Sequence, residues 1–300
     1  MDADRASRTA EHVALFRALE SRRRGDRLFD DPYAAAFLTG QYRLVARLAA
    51  VAPLGRRLER YIDGRWNGGP RASAVVRTRL IDDLVTEALA GTAGDPDRSC
   101  QLLLLGAGYD SRAYRLPAAS TTTVFEVDHP ATQAAKRRLL RGRLPAGRMS
   151  HVHFVPVDLL HDDLGAALRR AGFASAQRTV VIWEGVTNYL TAEAVDATLR
   201  LLAGTTGPGS RIIFTYVDRA ALDGTGRFAG FERWRDSVRD AGEPWTFGFH
   251  PDELPGYLTH RGLVLMSDLS TREAAVRYLA PLGRDEPTAE FYRVAEAEVR

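Results

Sequence analysis

Four consecutive leucines at 102–105 run directly into Gly106-Ala107-Gly108. A short, wholly apolar run that ends in glycines reads as a strand buried on both faces and closed by a tight turn. Only glycine takes a positive φ cheaply and lets a ligand approach the backbone. Residues 122–127 form a second apolar run, which closes on Glu126 and Asp128 about 20 residues after the glycines, where a doubly wound α/β sheet hydrogen-bonds a ribose diol. Glu126 lies two residues before Asp128, so it points to the same side of the strand but deeper, and it is the alternative contact.

The glycine pattern is incomplete. A dinucleotide turn of the form GxGxxG needs a third glycine where this chain has Ser111, so a pyrophosphate is disfavoured and a nicotinamide-dependent dehydrogenase with it. The ligand that fits is an adenosine without phosphates, S-adenosylmethionine.

The remaining strands repeat the rhythm. Residues 151–157, 179–183 and 211–217 are apolar runs that alternate with helical stretches at about 130–143, 162–171 and 191–202. Five β–α alternations with apolar strands predict a mostly parallel sheet covered on both faces. Acids recur after the strands: Asp158 after the third and Glu184 after the fourth, where open α/β sheets bind ligands. Each also has a structural reading, Asp158 as a helix cap and Glu184 as a partner of nearby arginines. A guanidinium grips a carboxylate bidentately, so Arg77 or Arg79, on a helix expected over 73–90, is available to the cofactor's carboxylate.

Residues 1–90 read as a helical cap. Val13, Leu15, Phe16 and Leu19 form an apolar stripe. Asp30 or Asp31 caps a helix opened by Pro32, a helix over 42–60 breaks near Pro53, and 67–70 is a turn. The cap is expected to pack over the carboxyl edge of the sheet. With a boundary at Gly91–Ser99, the organisation is a cap at 1–95 and a core at 96–300. Residues 218–250 interrupt the alternation with Phe228, Phe231, Trp234, Trp245, Phe247 and Phe249, which are expected to wall a pocket. A helix starts at His250, a sixth strand follows at 263–267, and 291–299 is a final edge strand or a closing helix.

Composition narrows the partners. The formal net charge is +3, and Lys136 is the only lysine, so the basic balance reflects arginine rather than a nucleic-acid patch. A single cysteine, Cys100, leaves no disulfide framework and no multi-thiolate metal site. No apolar run reaches the roughly 18 residues of a membrane span, and the polar N-terminus is unlike a signal peptide, so a cytoplasmic protein without nucleic-acid or membrane partners is expected.

Taken in order, RLFDDPYAAAF, RTRLIDD, LLLLGAGYDSRAYRL, VFEVDHP, VDL and WEGVTNYLT resemble the leucine carboxyl methyltransferase family, in particular its actinobacterial S-adenosylmethionine-dependent branch, and are similar to polyketide carboxyl O-methyltransferases. The resemblance implies a class I methyltransferase fold, Rossmann-like and doubly wound, with a mostly parallel seven-stranded sheet. It places Arg77 on the methionine carboxylate, Gly106 with Ala107 and Gly108 along the methionine moiety, Asp128 on the ribose, Asp158 and Leu159 on adenine, and Glu184 at the cofactor site. Gly185 to Tyr189 replace the more apolar residues of the eukaryotic branch, which argues against a protein C-terminus as acceptor.

The expected reaction is O-methylation of a small molecule, at a carboxylate or, second, a phenol or enol. A carboxylate is already ionised at neutral pH, whereas a phenol with a pKa near 10 profits from a base. His129, His250 and Tyr216 are the candidates by position, and Asn188, Tyr189, Tyr216 and His250 are candidate substrate contacts. The competing reading is a cofactor-binding protein of the same fold that serves as a non-methylating catalyst or a regulatory module.

Overall fold

The computed structural model describes residues 8–65, 69–90, 100–145, 147–159 and 161–300. The expected turn at 67–70 falls partly, and the boundary at Gly91–Ser99 almost wholly, outside them.

The cap comprises α1 (Arg8–Ser21), α2 (Gly40–Leu48), α3 (Ala52–Arg65) and the long α4 (Pro70–Ala90). Asp31 does cap the turn after Pro32, accepting from the backbone N–H groups of Tyr33 and Ala34 at 3.1 and 3.0 Å, but only a 3₁₀ turn over Ala34–Phe37 follows. The core then runs β1 (Gln101–Leu105), α5 (Arg112–Arg115), β2 (Thr123–Asp128), α6 (Pro130–Leu140), β3 (Val152–Pro156), α7 (Leu164–Arg170), β4 (Thr179–Trp183), α8 (Ala192–Thr205) and β5 (Arg211–Val217). It ends with α9 (Arg219–Leu222), α10 (Phe231–Asp240), α11 (Leu254–Thr259), β6 (Leu263–Ser270), α12 (Thr271–Tyr278) and β7 (Tyr292–Val299). The sequence reading placed no helix at α12; its start is a capping box in which Ser270 and Glu273 satisfy each other's backbone.

These strands form one seven-stranded sheet in the order β3-β2-β1-β4-β5-β7-β6. β1 to β5 are parallel, and β7 is antiparallel to both of its neighbours. The stretch expected as an edge strand or closing helix is therefore an interior strand, and β6 is the edge. Strand order reverses between β1 and β4, which is where doubly wound sheets open a crevice.

Strand pleating divides the core in two. Leu102 and Leu104 face one apolar cluster with residues of α1, α4 and α6; Leu103 and Leu105 face the other, with α7, α8 and α11. Cap residues such as Leu19 and Val76 share the first cluster with the sheet. α4 thus covers a face of the sheet over most of its length, and its first turns reach the carboxyl edge together with α1 and α2.

Candidate functional site

At the switch point the chain encloses a cavity of about 610 Å³, bounded by the carboxyl ends of β1 to β4, the inner sides of α1 and α2, and the segment 234–246. The glycine turn forms its floor. Gly106 has φ +66°, and a Cβ there would sit 2.3 Å from a methyl of Val186 in the loop after β4. Gly108 has φ +43° and lies under Ala10 of α1. Any side chain at 106 would both strain the turn and fill the crevice between the two strand-end loops.

Asp128 faces this turn from the end of β2. Its carboxylate accepts from the Gly108 N–H and, at 2.7 Å, from the His129 N–H. A carboxylate has about four lone-pair positions, so two remain toward the cavity. Burial pushes its pKa up, and the two backbone donors offset part of that rise. Glu126 is excluded as the ribose contact. It is closed off from the cavity, accepting from Tyr114 Oη at 2.8 Å and paired with Lys136 Nζ at 2.8 Å.

Asp158 and Leu159 line the cavity beyond β3, with Asp158 Oδ2 4.0 Å from His129 Nε2. His129 also lines it, but its Nδ1 accepts from the Ala131 N–H at 3.3 Å, so the ring serves as the cap of α6.

Glu184 leaves β4 beside Gly185. One oxygen accepts from Arg77 Nε and the other from Arg112 Nη1, both at 2.7 Å. Burial opposes ionisation of Glu184, yet Arg112 and Arg77 hold it below the usual carboxylate range. Arg77 stacks 5.1 Å from the centre of the Tyr292 ring, and among the described residues its two terminal nitrogens meet no hydrogen-bond acceptor. Arg112 continues to Asp110 at 2.5 Å and Asp82 at 2.7 Å. Burial works against the Asp110 carboxylate too, but Arg112, Arg17 and Lys136 bring it down to about 2.

Several sequence candidates lie elsewhere. Arg79 pairs with Asp83 at 2.9 Å on the outer side of α4. Tyr216 is fully buried and donates to Asp268 of β6 at 2.7 Å; the alternation of β5 sends it away from the cavity, and burial beside that acid pushes its pKa up. It is no base. His250 is carried off because Phe249 pairs in parallel with the end of β5, its N–H donating to Val217 O at 3.2 Å. The Asn188 side chain is buried outside the cavity, whereas Tyr189 lines it. Of the aromatics at 218–250, Trp234 and Trp245 reach the wall and the four phenylalanines pack into the core.

Residues that the sequence reading missed complete the wall. His12 of α1 and Tyr42 of α2 both line it, joined Nε2 to Oη at 2.6 Å. Tyr292 stacks on Trp234 at 5.5 Å, and Thr9 of α1 donates to Glu243, tying the cap to the 234–246 wall. His12 and Tyr42 carried no motif; only their sharing of two cap helices brings them together. Among the described residues no cluster of histidines, cysteines and acids is arranged for a metal, and no helix is long and apolar enough to cross a membrane.

A glycine turn at the switch point, an acid ending β2 and an acid after β4 define a class I, Rossmann-like methyltransferase. A crystal structure from Thermobifida fusca, named "putative methyltransferase", has the same fold: it aligns over 100% of this chain and 97% of its own at a TM-score of 0.55 and 16% identity. The family model of leucine carboxyl methyltransferase matches residues 10–203, and the chain belongs to that family. Two Frankia alni proteins named "putative S-adenosyl-L-methionine-dependent methyltransferase" are similar to it. One is 40% identical over 208 residues, covering 69% of this chain and 68% of its own. The other is 34% identical over 285 residues, covering 93% and 91%.

Proposed function

We propose that this S-adenosylmethionine-dependent methyltransferase methylates an oxygen of a small aromatic molecule. The observation that carries the reading is one half-open cavity with two unlike walls. The sheet wall suits the cofactor: Asp128 offers lone pairs to a ribose diol, Gly106 and Gly108 admit close approach, and Asp158 with Leu159 borders the place for the base. Arg77 presents its terminal nitrogens for a carboxylate, and Glu184 supplies an anion for an ammonium. When bound, the cofactor supplies a methyl group on a sulfonium, open to in-line displacement.

The opposite wall, with Tyr189, Trp234, Trp245 and Tyr292, suits a planar acceptor. Its charged side chain is Glu243; of the arginines that border it, Arg17 of α1 is engaged by Tyr109 O and Asp31, and Arg77, stacked on Tyr292, is assigned to the cofactor. An acceptor carboxylate would find there no guanidinium that is not already engaged or assigned to the cofactor, which orders the two acceptors with a hydroxyl first and a carboxylate second. A phenol then needs its proton taken, and His12, held by Tyr42, is the imidazole on this side of the cavity. The residues align the oxygen and exclude water; that alignment is the larger part of what the protein supplies.

Incubation with methyl-labelled cofactor and matched aromatic acids and phenols tests the reading. Label in the phenols and not in acids lacking a hydroxyl is expected; label confined to acids reverses the order. In calorimetry Asp128→Ala is expected to abolish cofactor binding, and retained affinity removes the ribose assignment.

A further inference from the structure

The outer face of α2 and α3 takes no part in the cavity or in the core. It gathers five of the large apolar side chains that the described residues expose: Leu44, Leu48, Val51, Leu54 and Tyr61, each between 43 and 64% exposed. Leu44 and Leu48 share a face of α2 at i, i+4, Val51 follows in the turn between the helices, and Leu54 and Tyr61 share a face of α3 at i, i+7. Exposed large apolar side chains gathered in one segment in this way mark a surface that meets something.

The charges around the strip have one sign. Arg47, Arg56, Arg57, Arg60 and Arg65 are all exposed. The two acids of the segment are turned inward: Glu59 is buried against Arg23 at 2.5 Å, and Asp63 is bound to Arg71 at 2.9 Å. The outer face is thus apolar and cationic with no exposed carboxylate, a pattern that suits a negatively charged surface with apolar depth beneath it. A second copy of the chain fits poorly, because a two-fold pairing would set these arginines against their own counterparts.

We propose that α2 and α3 form a docking face for an anionic phospholipid bilayer. The leucines and Tyr61 enter the headgroup boundary and the arginines pair with lipid phosphates, so the protein binds the surface without spanning it. Tyr42 and Ile62, on the inner sides of the same helices, line the cavity, so the docked face backs directly onto the catalytic wall. The proposal does not depend on the identity of the methyl acceptor.

Co-sedimentation of the full chain with phosphatidylglycerol-containing vesicles, with phosphatidylcholine vesicles as the reference, tests it. Binding to the anionic vesicles alone is expected, weakening as salt screens the arginines. Arg57→Gln with Arg60→Gln should lower the partition about 25-fold, taking about fivefold for each arginine near the surface. Leu48→Ser with Val51→Ser should weaken binding even at low salt. All four positions are exposed and outside the cavity, and unchanged cofactor affinity by calorimetry shows that each variant is folded. Failure of the parent protein to pellet with anionic vesicles, or equal pelleting of the arginine variant, overturns the proposal. So does a concentration-dependent dimer in sedimentation velocity that the Leu48→Ser, Val51→Ser variant dissolves, since the strip would then be covered by a second copy.

Discussion

Two buried networks of arginines and carboxylates are built from the same chemistry and end differently. At the seam between the cap and the 284–286 segment, Arg284 holds Glu20 at 2.8 and 3.0 Å and Glu286 at 2.9 Å, while Arg23 joins Asp26, Glu59 and Glu286. This network is closed, with Glu20 fully buried and engaged through both oxygens. At the cavity floor, Glu184 likewise occupies both oxygens with arginines, but Arg77 keeps two nitrogens toward open volume. The first network fastens the cap; the second has hydrogen-bonding capacity left over for a ligand. What distinguishes a site from a clamp is unspent donors facing a cavity, since buried charge is common to both.

The largest effect that would sharpen this contrast is in the clamp. Arg284→Ala strands Glu20 without its guanidinium and is expected to cost about 3–5 kcal/mol in urea unfolding, with cofactor affinity of the folded protein unchanged. An equal stability in the variant would break the distinction. Next is Glu184→Gln, which removes an anion from the cavity. We expect a loss of about 1.5–3 kcal/mol in cofactor binding by calorimetry, with a smaller unfolding shift than for Arg284→Ala because Arg112 keeps Asp82 and Asp110.

The third test is pH. Burial raises the Asp128 pKa in the ligand-free fold, and ribose hydroxyls donate to its ionised form, so cofactor affinity should be level at neutral pH. It should fall as pH drops through that raised value, by up to about tenfold per unit. The onset lies above the ordinary aspartate range, and an onset below it would place the carboxylate outside the site. For folding the sign is opposite: Asp128's contribution is fully present below its unfolded pKa and is lost as pH rises through its folded one. The smallest effect is that of Arg200→Ala, an exposed side chain of α8 paired with Asp196 at 2.8 Å outside the cavity, expected within about 0.5 kcal/mol in both assays.

The strands β1 to β5 and their terminal acids were legible because a parallel sheet covered on both faces writes itself as short apolar runs, and its ligand groups follow those runs. Side along a strand was legible too: Glu126 and Asp128 do share one. The greater depth of Glu126 was read as well; its partner was not, because only the fold sets Lys136, ten residues on, against it. Tyr216 was misplaced for a related reason. Its strand was plain, but which face would meet the cavity depended on β6 and β7 supplying Asp268 and Arg293. The Arg112 hub sat within the glycine-loop motif beside its partner Asp110, yet nothing local indicated that its guanidinium would also join Asp82 and Glu184, which are distant in the chain.

The interior position of β7 also governs how the sheet is assembled. β5 and β6 have no direct pairing; each waits for residues 292–299 to fill the gap between them. During synthesis the parallel half can gather first, while β5 presents an open, apolar edge until the last strand has left the ribosome. Completion of the sheet is therefore a late, long-range event, and a chain cut short before residue 292 would lack the strand that joins its two halves.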